Sequence, residues 1–333
     1  MSKEILSEIA LTKVNINQEL KTLRNKFNFP IELYDGAFHL PLAGGKRLRP
    51  LMVIKTCEML NGNVKKATVM ATSLELLHNF TLIHDDIIDE DEFRRGTPTT
   101  HIKWGVPVAI SAGDAVFSLV FNHLVNELEN YETKPEIINN AVKTLSKSAL
   151  IVCEGLVQDV SPEKYVNSVN DYLDMITRKT AELFDTSCYL GGLSAEANDI
   201  QLSELSKYGQ NIGKLFQIVD DLLGIIGNPS VTGKPVGGDL KMGRRTIIII
   251  HSLLNSSTNN KEKLEALLQK KNISQTDIDN ALAIINKTQS IDYAKKLANH
   301  FMNEAIGSLS IFENNKHKKF LQLFPQFLYS RDK

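Results

Sequence analysis

Apolar residues recur at three- and four-residue spacing through most of the chain, the period of an α-helix. The pattern is clearest in LMVIKTCEML (Leu51–Leu60), ATSLELLHNFTLIHDDIID (Ala71–Asp89), GDAVFSLVFNHLVNELENY (Gly113–Tyr131), EIINNAVKTLSKSALIVCEGLV (Glu136–Val157) and VNDYLDMITRKTAELFDTSCYLGGL (Val169–Leu193). The apolar arcs are wide, as core helices of a large bundle require. Only RRTIIII (Arg244–Ile250) has the composition of a strand; it is too isolated to build a sheet and is expected to start a buried helix. Breaks are expected at Pro41–Gly45, Gly96–Pro98, Pro135, Pro162, Gly191–Gly192 and Asn228–Gly238, with a solvent loop at NSSTNNKEK (Asn255–Lys263). No repeat and no Gly-, Ser- or Pro-rich linker divides the chain. One all-α domain over residues 1–333 is expected.

Composition keeps this picture within ordinary globular bounds. The chain has 333 residues, 42% of them hydrophobic and 23% charged, enough for a large core. Its 38 basic and 39 acidic residues give a net charge of -1, which argues against a nucleic-acid binder driven by bulk charge and leaves local patches open. Cys57, Cys153 and Cys188 show no zinc or redox spacing and read as reduced thiols of a cytoplasmic protein. The amphipathic, acid-containing start MSKEILSEIALTKVNINQEL does not read as a signal peptide. The most apolar short run, Thr246–Leu254, falls far below the roughly 20 residues that span a bilayer, so no transmembrane segment is expected.

Charge changes the picture at three places. In LIHDDIIDEDEFRRGTPTTH (Leu82–His101) a buried helix ends in carboxylates and passes at once to Arg94 and Arg95. On a helix Asp85 and Asp89 lie one turn apart, offset by about 40°. Such an open pair of oxygen ligands suits Mg²⁺, which takes one or two carboxylates and completes its shell with water and phosphate oxygens. A solvated acidic helix end is the plain alternative. An EF-hand is excluded because Glu90 stands where its glycine belongs. An HD-type hydrolase built on His84–Asp85 would need a separate upstream His and a later Asp. In GKLFQIVDDLLGIIG (Gly213–Gly227), Asp220 and Asp221 interrupt a second apolar helix, which is costly unless they are paired or bind metal. Two such helices are expected to aim their acids into one cavity around a polyphosphate.

The third place is a set of cations: Lys46, Arg47 and Arg49 in GGKRLRP, Arg94 and Arg95 in RRG, and Lys234, Lys241, Arg244 and Arg245 in TGKPVGGDLKMGRRT. Arginine forks suit bidentate phosphate contacts. The last loop is no P-loop, since Pro235 stands where Ser or Thr would bind the metal. Each cluster alone reads as a solvated face. Together with two aspartate pairs they read as a diphosphate site, with the apolar helix behind it lining a greasy pocket.

The segments GGKRLRP, LLHNFTLIHDDIIDEDEFRRGTPTTH, RKTAELF, FQIVDDLLG and TGKPVGGDL, in this order, resemble the trans-isoprenyl diphosphate synthases. The resemblance implies an all-α bundle around a deep central cavity, usually a homodimer; a nucleic-acid partner has only scattered basic clusters in its favour and is not expected. It implies head-to-tail (1'-4) condensation of isopentenyl diphosphate with an allylic diphosphate (dimethylallyl, geranyl or farnesyl). By similarity Asp85 and Asp89 hold Mg²⁺ on the allylic diphosphate and Asp220 a further ion from the opposite wall, making three ions in all. Lys46, Arg49, His78 and Arg95 are implied to bind isopentenyl diphosphate. Arg94, Lys179, Thr180, Gln217 and Lys234 are implied to bind the allylic substrate, with Arg244 adding a phosphate contact. Asp159 matches an acidic position that supports the allylic site, although Leu156 stands where the family often has Gln. The second motif departs from DDxxD, because Gly224 replaces the last acid.

The resemblance also bears on product length. Phe80 lies five residues before Asp85, about 7.5 Å back along the helix, with the small Thr81 beside it and Leu77 one turn deeper. An aromatic at Phe80, a non-aromatic at Thr81 and no insertion in DDIID are similar to short-chain archaeal-type geranylgeranyl synthases. Geranylgeranyl diphosphate is the expected product, with farnesyl diphosphate or a mixture as the alternative and plain core packing the bland reading of Phe80. A class I terpene cyclase would not need GGKRLRP. A non-catalytic partner subunit would have lost aspartates that remain here.

Overall fold

Helices make up nearly all the regular structure among the described residues, which are 2–226, 238–270 and 273–330 of a computed structural model. The one sheet among them is a hairpin of two-residue strands, β1 (Phe93–Arg94) and β2 (Thr97–Pro98). The all-α expectation holds. The chain divides into two compact units: Met1–Ala149 with Leu183–Ser206 and Ile311–Leu321, and Leu150–Glu182 with Lys207–Ser310 and Gln322–Lys333.

The first unit is built on α1 (Ser2–Arg24), α2 (Ile31–Leu42), α3 (Leu48–Met59), α4 (Val64–Ile88), α5 (Thr100–Trp104) and α6 (Val106–Asn130). α4 packs against α3 and α6, and α2 packs against α6. α4 begins where the Asn63 side chain accepts from the backbone N–H groups of Lys65 and Lys66, a cap that satisfies otherwise orphan donors. Leu74, Leu76, Leu77 and Ile83 are fully buried along it, each contributing about 1.5–3 kcal/mol of apolar transfer. α6 is long and apolar enough, by length and composition, to cross a membrane. It exceeds in this respect the Thr246–Leu254 run that the sequence pointed to, yet Ala109, Val116, Val120 and Leu124 bury one side of it in the unit.

The remaining helices are α7 (Pro135–Val160), α8 (Pro162–Tyr165), α9 (Val169–Ile176), α10 (Glu182–Ser194), α11 (Asp199–Ile226), α12 (Gly238–Lys241), α13 (Ile247–Asn255), α14 (Thr258–Leu268), α15 (Gln275–Lys287), α16 (Ser290–Ser308) and α17 (Lys316–Tyr329). The strand-like isoleucines Ile247–Ile250 are all buried in α13, which packs on α16 and α9 in the second unit. Burial on all sides overrides their strand propensity.

Three local expectations are corrected. Gly191–Gly192 does not break a helix but lies inside α10. A Cβ on Gly191 would fall 1.7 Å from Thr56 Oγ1, so the glycine serves close helix packing rather than a turn. The loop expected at Asn255–Lys263 is shorter, because α14 begins at Thr258; the polar residues there are the outer face of a helix. The single helix read from Val169 to Leu193 contains a π-helical turn at Thr177–Ala181 between α9 and α10. A π-bulge carries no hydrophobic signature, and such turns concentrate at functional sites.

Candidate active site

In the first unit, the end of α4 carries the acidic motif. Asp89 is the C-cap, and its backbone N–H donates to the Asp85 carbonyl over 2.8 Å, so the two residues keep the one-turn spacing read from the sequence. Asp85 is half-buried and Asp89 exposed, while Asp86 is buried. Asp86 is engaged by Arg94 Nε, and Arg94 Nη2 reaches Asp91 at 3.1 Å. Burial raises the Asp86 carboxyl to about 6, against the opposing pull of Arg94. Arg94, expected on a substrate phosphate, is thus tied to two acids of its own motif. The hairpin turn places Arg95 at φ 55 and Gly96 at φ 75, which reverses the chain directly after Arg94.

The same unit holds all four residues assigned to isopentenyl diphosphate, Lys46, Arg49, His78 and Arg95. Lys46 is exposed just ahead of α3. Arg49 Nη1 and His78 Nε2 lie 3.1 Å apart, and the Arg49 guanidinium sits 4.8 Å over the Phe184 ring. Desolvation lowers Arg49 to about 10, which leaves it charged at neutral pH. His78 is held well below its usual value by burial and by Arg49, Arg95, Arg47 and Arg94, so it is neutral and accepts from Arg49. Arg47, at the head of α3 with φ 52, is buried and paired with buried Glu75. Arg95 Nη1 donates to the Leu40 carbonyl at 2.7 Å and to Asn79 Oδ1 at 3.0 Å.

In the second unit, Lys179 and Thr180 lie on the π-helical turn. Lys179 Nζ donates to Asp159, the acid that the resemblance placed in support of the allylic site. Thr180 Oγ1 donates to Gln217 Oε1 at 2.8 Å. Gln217 Nε2 donates in turn to Asp221 Oδ1 at 2.9 Å, and the other Asp221 oxygen accepts from Tyr172 Oη at 2.6 Å and Ile247 N at 3.3 Å. The adjacent aspartates therefore divide: Asp221 is buried among donors, whereas Asp220 is exposed. Arg244 is half-buried before α13, and its neighbour Arg245 donates to Val166 O and Asn167 Oδ1. Lys234 lies outside the described residues.

Residues 31–285 match the family model described as polyprenyl synthetase. The chain belongs to the polyprenyl synthetase family. It is a prenyltransferase. It is 39% identical, over 96% of each chain, to the geranylgeranyl diphosphate synthase of Saccharolobus solfataricus. It is 38% identical to the short chain isoprenyl diphosphate synthase of Methanocaldococcus jannaschii, over 95% of this chain and 93% of that one. The crystal structure of geranylgeranyl pyrophosphate synthetase from Pyrococcus horikoshii superposes with a TM-score of 0.91 at 34% identity, covering 99% of both chains.

For a prenyltransferase the donor set of α4 fits a hard divalent ion. Among the described residues no group of three or more His, Cys, Asp or Glu converges as a closed metal site. An open pair such as Asp85 and Asp89 is what Mg²⁺ takes when water and phosphate fill its other positions. Behind that pair, the Phe80 ring lies 5.0 Å from Phe117, which is itself 5.4 Å from Phe121 on α6. Thr81 Oγ1 turns back to the His78 carbonyl, and Leu77 is fully buried.

Sequence reasoning did not single out Glu75, Asn79, Tyr172 or Phe117. A signal for Glu75 was present. It is the one acid among the apolar residues of α4 ahead of Asp85, and a carboxylate buried there demands a partner as Asp221 does.

Proposed function

We propose that this prenyltransferase condenses isopentenyl diphosphate with an allylic diphosphate to give a short-chain all-trans prenyl diphosphate, with geranylgeranyl diphosphate as its product. The observation that carries the reading is on α4: an arginine cluster around Glu75 and an open carboxylate pair, Asp85 and Asp89, share one apolar helix. An anion site and a Mg²⁺ site on a greasy wall are what a diphosphate with a hydrocarbon tail requires.

In this reading Asp85, Asp89 and Asp220 would hold Mg²⁺, three ions in all. Bound there, Mg²⁺ supplies charge stabilisation to the departing diphosphate. Lys46, Arg49, His78 and Arg95 bind isopentenyl diphosphate. Arg94, Lys179, Lys234 and Arg244 neutralise the allylic diphosphate. Because Thr180 gives its proton to Gln217, its hydroxyl oxygen keeps lone pairs to set beside a developing allylic cation. The alkene of isopentenyl diphosphate attacks that carbon, and the released diphosphate takes the final proton. Phe80, backed by Phe117, limits the growing tail.

Residues 1–333 are read as one polyprenyl synthase domain, since the family match at 31–285 includes residues of both units. A second copy of the chain is the partner we assign, as a homodimer.

Purified protein with Mg²⁺, labelled isopentenyl diphosphate and dimethylallyl, geranyl or farnesyl diphosphate tests the reading. Geranylgeraniol should dominate after dephosphorylation, and chelation should stop incorporation. Farnesol as the end product would shift the assignment to a farnesyl synthase, and no metal-dependent incorporation would overturn it.

A further inference from the structure

Two guanidinium groups in the first unit, those of Arg47 and Arg95, share one buried carboxylate, Glu75. Arg47 Nη1 binds Glu75 Oε1, and Arg95 Nη2 lies 4.0 Å from that same oxygen. Asn79, one helical turn after Glu75 and fully buried, joins the two. Its Nδ2 donates to the Glu75 carbonyl at 2.7 Å and to Glu75 Oε1 at 3.0 Å, which fixes the amide with Oδ1 turned to Arg95. Oδ1 then accepts from Arg95 Nη1 at 3.0 Å, and the Leu40 carbonyl takes the other Nη1 proton at 2.7 Å. With both Nη1 protons committed, the guanidinium cannot turn about its Cδ–Nε axis without breaking two bonds. Gly45, at φ 126, lies against the plane: a Cβ there would stand 3.1 Å from Arg95 Cζ.

We propose that Asn79, oriented by Glu75, is a positioning residue that presets the Arg95 fork for the diphosphate of isopentenyl diphosphate. The proposal rests on the reading that Arg95 binds this substrate. A fork held in place before binding loses less side-chain freedom when the phosphate arrives, so the gain falls on one substrate's affinity and not on the chemical step. Asn79 touches neither substrate. Its effect is routed wholly through Arg95.

The test is a double-mutant cycle of Asn79→Ala and Arg95→Lys, with KM for both substrates and kcat measured on folded, full-length enzyme. Asn79→Ala should raise KM for isopentenyl diphosphate about tenfold while KM for the allylic diphosphate and kcat stay within about threefold. Added to Arg95→Lys it should raise that KM by less than about twofold, because the residue it positions is already altered. If Arg95→Lys raises KM for isopentenyl diphosphate and Asn79→Ala alone does not, the positioning role is overturned. If Arg95→Lys leaves that KM unmoved, the Arg95 assignment itself has failed, a different result. A fall of kcat together with a rise of both KM values, or failure of Asn79→Ala to fold, would mark Asn79 as structural and also overturn the proposal.

Discussion

Thr180 Oγ1 donates to Gln217 Oε1 over 2.8 Å, and the orientation of that glutamine is set by Asp221, which accepts from its Nε2 at 2.9 Å. Two neighbouring aspartates therefore carry different tasks. Asp221→Asn should lower stability by about 1–3 kcal/mol, because Tyr172, Gln217 and Ile247 all present donors to a carboxylate whose replacement brings donors of its own. Asp220→Asn, at an exposed site, should leave the melting temperature unchanged and lower kcat. Thermal melts and steady-state rates on both variants separate the roles; equal losses of stability would refute the division.

Asp85→Asn keeps the shape of a half-buried side chain and removes a hard anionic ligand. Turnover should fall by several orders of magnitude while stability without Mg²⁺ holds or rises, since Asp85 and Asp89 are like charges one turn apart. Survival of turnover within about tenfold, roughly 1.4 kcal/mol of barrier, would exclude the metal assignment.

Arg94 and Arg95 are adjacent but anchored differently, Arg94 by Asp86 and Asp91, Arg95 by Leu40 O and Asn79. Replacement by lysine keeps the charge and loses the fork. Arg94→Lys should raise KM mainly for the allylic diphosphate and Arg95→Lys mainly for isopentenyl diphosphate. Identical effects on both substrates would show that the arginines act as one undivided patch.

Phe80→Ser should lengthen the products, with initial rates within about threefold of the parent. The ring it removes stands 5.0 Å from Phe117, so Phe117 becomes the next obstacle and Phe117→Ala should extend the shift. Chromatography of the dephosphorylated alcohols reads the outcome. An unchanged distribution for both variants would leave these rings as core.

Acid should weaken the fold through buried histidine. His123 is lowered to about 4 by burial, and neither ring nitrogen has a hydrogen-bond partner among the described residues. Its folded pKa lies below the unfolded value of about 6.5, so the unfolded chain binds the extra proton first. The stability at stake is complete above about pH 6.5 and is lost as pH falls towards 4. His123→Leu should flatten that limb in urea melts taken from pH 7 to 4.5, and an unaltered slope would mean that other groups carry it.

The sequence alone determined the helical class and the chemistry-bearing residues, for two physical reasons. Helical period is a local property of the chain, and carboxylates or arginines placed beside long apolar runs are anomalous wherever they occur. Asp85 and Asp89 keep their one-turn spacing in the structure because α4 carries it to its cap. The isoleucines of α13 were assignable to a helix because no other run in the sequence has a strand's composition to pair with them. Only the tertiary structure decided which polar groups face a neighbour. It placed Asp221 under Tyr172 and left Asp220 exposed, a distinction invisible in the letters DD. It put Lys179 and Thr180 on a π-helical turn, which has no compositional mark. It turned Gly191 from an expected break into a contact with Thr56, and it tied Arg47, Asn79 and Arg95 to Glu75. These are long-range pairings. Each partner satisfies its own local pattern, and their meeting depends on how whole helices pack.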